Sequence, residues 1–119
     1  MNTDLWTYRE MVPQSDKGIA GFAVEAIDGS IGYIDETSNQ AGEAYIVVDT
    51  GPWIFGRRVV IPVGAIDNVD LIDERVYVEM SKEQVKNAPE LKADTQVDHA
   101  FRGELTDYYE PIFHGRMEM

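Results

Sequence analysis

Cysteine is absent from the 119 residues, which excludes disulfides, thiolate catalysis, iron–sulfur clusters and cysteine-rich zinc sites together. Basic residues are scarce: 10 Lys and Arg stand against 22 Asp and Glu, a formal charge of −12. A chain of that sign is repelled by phosphates and by anionic lipid, so neither a nucleic-acid partner nor membrane insertion is expected. Long apolar runs are missing too, and nothing approaches the roughly 18 residues that a spanning helix needs. The opening MNTDLWTYREMVPQSDKG has no positive segment followed by an apolar one. It therefore does not read as a signal peptide, and a cytoplasmic location is expected. Histidine occurs twice, at His99 and His114. With no cysteine to assist, a transition-metal site would have to rest on carboxylates, so neither metal nor cofactor is expected.

What is present is the material of one small domain. The apolar fraction of 44% is enough for a core without disulfide or metal support. From residue 19 onward, short apolar runs alternate with turn residues, an all-β and mainly antiparallel pattern. In IAGFAVEAIDGSIGYIDE, Phe22, Val24 and Ala26 share one face, and Asp28–Gly29 is the pair expected at the turn of a tight hairpin. AYIVVD is a compact β-branched run. Gly51–Pro52 then breaks the chain before WIFGRRVVIP, in which Gly56 marks a bend and Pro62 closes the strand. In AIDNVDLIDERVYVEM, Val76, Val78 and Met80 face one way and Arg75, Tyr77 and Glu79 the other. SKEQVKNAPEL carries a capping box, Ser81 with Gln84, that opens a helix of about two turns ended by Pro89. In the tail, Phe101, Leu105 and Tyr108 or Tyr109 recur at helical spacing, which predicts a short amphipathic helix.

Five features occur in order: GFAVEAIDGSIGYIDE as an opening hairpin, YIVVDTG, the Trp-x-Phe-Gly-Arg segment, a strand closed by Ile-Pro, and VYVEMSKEQVKNAPEL. Over roughly residues 17–91 they resemble the PRC-barrel family, called after the H subunit of the photosynthetic reaction centre. The late DYYEP is similar to the end of small single-domain actinobacterial members. The resemblance implies a small, partly open barrel of about six strands with a short C-terminal helix. It also implies an arm at 1–16, a barrel at 17–91 and a polar tail at 92–119. Family members serve in the reaction centre and, in a ribosome-maturation factor, bind a ribosomal protein. The implied role is a non-catalytic protein-interaction or adaptor module that self-associates, with a homodimer favoured.

Six residues are candidates for contacts. Trp6 and Tyr8 form an aromatic pair in a polar arm, free either to fold back on the barrel or to dock on another subunit. Trp53 and Phe55 alternate along a strand, as core aromatics do. Arg57 and Arg58 are placed to grip an anion or to pair with nearby carboxylates. The alternative function is therefore a small-molecule or anion-binding barrel that uses Trp53, Arg57 and Arg58. Catalysis is not expected. Asp28, Asp35, Glu36, Asp49, Asp67 and Asp70 sit mostly at turns, where carboxylates bond their own backbone. No nucleophile elbow occurs, and neither histidine neighbours a nucleophile.

Overall fold

A computed structural model describes residues 5–9, 18–38, 43–51, 57–92 and 96–117, with side chains as far as Phe113. The first hairpin follows the alternation in the sequence. Strand β1, Ala23–Ala26, buries Val24 and Ala26 and pairs antiparallel with β2, Gly29–Ser38. The turn lies one residue earlier than the Asp28–Gly29 pair suggests: Ala26 faces Gly29, leaving Ile27 and Asp28 at the corner. Tertiary bonds hold it there. The Ile27 N–H donates to the Met80 carbonyl at 2.9 Å, and Asp28 Oδ1 accepts from the Lys82 N–H at 2.8 Å.

Strand β3, Tyr45–Asp49, and strand β4, Arg58–Pro62, pair antiparallel beside β2. Their Ile-Val-Val and Val-Val-Ile runs are buried on both faces rather than alternating, which requires a cover on the second face. A single 3-10 turn at Val63–Ala65, wholly buried, swings the chain into β5, Ile66–Asp70. Strand β6, Arg75–Val78, returns antiparallel to β5 and closes parallel against β1. The six strands form one sheet in the order β4-β3-β2-β1-β6-β5. Curled so that β4 and β5 meet through the 3-10 turn, it is the mostly antiparallel, partly open barrel expected.

Helix α1, Lys82–Lys86, starts with the capping box read from the sequence. Ser81 Oγ accepts from the Gln84 N–H, and Gln84 Oε1 accepts from the Ser81 N–H at 2.9 Å. The chain after it covers the free edge of β4: the Leu91 N–H donates to the Arg58 carbonyl at 2.8 Å, and Glu90 bridges Val59. An uncovered edge would invite foreign strands.

Helix α2, His99–Met117, runs for 19 residues, longer than the Phe101–Tyr109 spacing alone marks. Asp98 Oδ1 accepts from the Phe101 N–H and caps it. Phe101, Leu105, Tyr109 and Phe113, four residues apart, are all buried. The Tyr109 hydroxyl donates to the Val60 carbonyl at 2.6 Å. Gly103 and Pro111 do not break the helix. Both are exposed, so the cost stays local and water can satisfy the carbonyl that Pro111 leaves without a donor. This helix is the cover that β3 and β4 need. It explains why Arg58 shares a parity with buried Val60: that parity is the outer face, part of which α2 hides.

Candidate interaction site

Residues 5–9, the described part of the arm, lie against the barrel. The Ala44 N–H donates to the Trp6 carbonyl at 2.9 Å and the Gly64 N–H to the Leu5 carbonyl at 2.6 Å. Arg9 Nε donates to the Gly64 carbonyl at 2.9 Å, and its guanidinium pairs with Glu79 at 2.8 Å and Asp67 at 3.5 Å. Arg102, from α2, lies 4.6 Å over the Trp6 ring and 5.5 Å from the centre of the Tyr45 ring. It also donates to the Glu43 carbonyl at 2.5 Å. One cation thus ties the arm, β3 and the C-terminal helix together. Tyr8 is half-buried, and loss of solvent raises its phenol above its usual range.

The two adjacent arginines engage different partners. Arg57 donates to the Lys86 and Ala88 carbonyls, at and just beyond the end of α1, and its Nε lies 3.9 Å from Glu90. It supplies cationic donors to carbonyls that a helix end leaves without partners. Arg58 reaches the other way, to Asp35 at 3.1 Å and Glu36 at 2.5 Å. Asp35 stands in the irregularity between Ile34 and Glu36, where the β2–β3 register shifts. Trp53 and Phe55 lie outside the described residues, as does Gly56. His99 is exposed at the start of α2.

Other surface residues come together that sequence reasoning did not single out. Directly paired residues share a face of a sheet. One row therefore crosses all six strands on the outer face: Arg58, Asp49, Tyr33, Ala23, Arg75 and Asp70. Tyr33 in this row is 63% exposed, and Tyr77, next along the same face of β6, is 36% exposed. Arg75 pairs with Glu25 at 3.1 Å, and Glu25 also accepts from the Ser30 hydroxyl at 2.7 Å. Beyond Asp70 the β5–β6 turn carries Leu71, 40% exposed, and Ile72, 92% exposed. The sequence's signal for this cluster was two aliphatic residues set between Asp70 and Asp73; that both stay uncovered is decided by the fold.

No family model and no curated protein matches the chain. Nine chains of solved structures do. One is a protein assigned as the 16S ribosomal RNA processing protein RimM from Pseudomonas aeruginosa. It is 19% identical with a TM-score of 0.50, over 63% of this chain and 49% of that one. This chain spans about half that protein's length, and the likeness is one of fold, supporting a PRC-barrel-like architecture. The expectation that nucleic acid is excluded is corrected by it. The same barrel fold occurs in a protein named for ribosomal RNA processing, so the fold itself gives no ground for excluding RNA. Net charge sums over a whole surface, whereas in salt each charge reaches only about 10 Å, so contacts are decided locally. Among the described residues no helix is long and apolar enough to cross a membrane.

Proposed function

We propose that this chain is a non-catalytic adaptor, a PRC-barrel-like module that works by docking on a protein within a larger assembly, ribonucleoprotein assemblies included. The observation that carries this reading is the gathering of exposed apolar side chains on one part of the barrel exterior, Tyr33, Tyr77, Leu71 and Ile72. Scattered surface hydrophobes mean little, but clustered ones mark contact surfaces. The fold likeness to a ribosomal RNA processing protein supports the same reading. The division into arm 1–16, barrel 17–91 and tail 92–119 belongs to it, as does a cytoplasmic setting. Arg57 and Arg58, at the start of β4, enter as a second candidate contact region, and Trp53 and Phe55, shortly before them in the sequence, are proposed to take part in it.

The test is capture of the tagged full chain from its own cells after crosslinking. One or a few proteins at near-stoichiometric yield are expected, and recovery of the chain alone would overturn the proposal. Self-association is the second part of the reading. Two copies of a −12 chain repel each other, so a dimer should strengthen as salt rises. Sedimentation at micromolar concentrations checks this, and a monomer at every salt concentration removes it.

A further inference from the structure

The β5–β6 turn is built more firmly than its exposure suggests. Asp70 Oδ1 accepts from the Ile72 N–H at 3.0 Å and from the Asp73 N–H at 2.9 Å, an arrangement that fixes the first half of the turn. Glu74 then adopts φ 55, the left-handed region that non-glycine residues enter only when their surroundings hold them there. Those surroundings are visible: the Glu74 carbonyl accepts from the Ala23 N–H at 3.0 Å, tying the end of the turn to the start of β1. The result is a rigid tip that presents Ile72 to solvent with Leu71 beside it. Tyr33 and Tyr77 stand on the adjoining outer face, Tyr33 two strands from Arg75 and therefore about 10 Å away.

The charge around the tip has one sign. Asp70, Asp73 and Glu74 flank the aliphatic pair and make no ion pair among the described residues, while the neighbouring cation, Arg75, is taken by Glu25. Building on the adaptor reading, we propose that this tip is the docking element and that its occupant is a basic protein surface. That surface would hold an apolar cleft to receive Ile72 and Leu71, rimmed by Lys or Arg facing Asp70, Asp73 and Glu74. Three features single out this partner. The aliphatic pair needs an apolar receptor, which a phosphate backbone does not offer. The carboxylates need cations, which a second copy of so acidic a chain supplies poorly. The bonded turn is ordered in advance, so binding loses little conformational freedom.

The test is an NMR titration of the isotopically labelled full chain with three probes of equal charge magnitude. These are a basic peptide interspersed with Leu and Phe, an oligolysine, and a single-stranded oligoribonucleotide. The mixed peptide should move the amide signals of Asp70–Arg75 and Tyr33, and bind about ten-fold more tightly than oligolysine. Its affinity should fall as salt rises, opposite to the trend for self-association. Ile72→Ser should lose about ten-fold in affinity at an unchanged Tm, since the side chain touches little of the fold. Leu71→Ser is a second variant of the same kind. The inference fails if the peptide moves signals elsewhere or if Ile72→Ser binds like the parent. It also fails if the oligonucleotide moves the same amides. Should Ile72→Ser still capture the same cellular partner, the adaptor reading stands and the tip is not its docking element.

Discussion

Gly32 shows how much a single position governs. It lies in β2 at φ 146, and a Cβ built there would sit 2.1 Å from the Asp49 carbonyl oxygen and 2.9 Å from Thr50 Cα. No rotamer change relieves a clash with backbone, so β2 and β3 would have to separate. Gly32→Ala is expected to cost about 2–4 kcal/mol from backbone strain and overpacking combined. Urea unfolding of the variant measures it, and a midpoint equal to the parent's would show that β3 yields easily. Arg58 is the contrasting case. Its place on an apolar parity is a puzzle in the sequence and resolves only once α2 is seen to cover the rest of that face.

At the scale of elements, α1 is too short to persist by itself, since isolated helices below about 12 residues are marginal in water. It is held at both ends. The Ser81–Gln84 box satisfies its start, and Arg57 satisfies carbonyls at its end from a position 29 and 31 residues earlier in the chain. Arg57→Ala is therefore expected to lose about 1.5–3 kcal/mol, the usual worth of hydrogen bonds to a charged group. Arg57→Lys should recover only part of this, because an ammonium cannot present two forked donors. Thermal unfolding of both variants, with amide exchange at Val85 and Asn87, distinguishes the outcomes. Equal stability of the two variants would mean that charge alone matters there.

At the scale of the molecule, α2 and residues 5–9 close the fold, and pH reports on that closure. Tyr109 is fully buried, and its phenol is held well above its ordinary value of 10.0, chiefly by burial, next by Tyr108, with Arg57 opposing. Tyr8 and Tyr108 are raised by burial as well. Below pH 10 the phenols are protonated in folded and unfolded chains alike, and the full stability is present. Above it the unfolded chain releases protons that the folded chain retains, so stability falls with rising pH, by up to about 1.4 kcal/mol per pH unit for the fully buried Tyr109 and by less for the partly exposed Tyr8 and Tyr108. Tyr109→Phe should lose about 1–3 kcal/mol at neutral pH, as the Val60 carbonyl loses its donor. It should then show a shallower decline above pH 10. Urea midpoints at pH 7, 10 and 11 test this, and parallel curves would place the alkaline sensitivity elsewhere.

Local pattern was enough to read the strands and the start of α1 from the amino-acid order. A strand's alternation and a helix's cap are written within a few neighbouring residues, as Val76, Val78 and Met80 and the Ser81–Gln84 box show. Other features depended on partners far along the chain. The turn at Ile27–Asp28 is set by Met80 and Lys82, the role of Arg57 by Lys86 and Ala88, and the position of Trp6 by Ala44 and Arg102. The candidate site belongs to this second group. Leu71 and Ile72 were visible as letters, but exposure depends on what the fold leaves uncovered. Tyr33 is exposed and Ile31 buried at the same parity because the β1–β2 register shifts between Val24 and Glu25. Sequence by itself determined the class of fold, because periodicity is a property of neighbours. Tertiary structure alone decided which faces were left to meet a partner, because covering a face takes residues from distant parts of the chain.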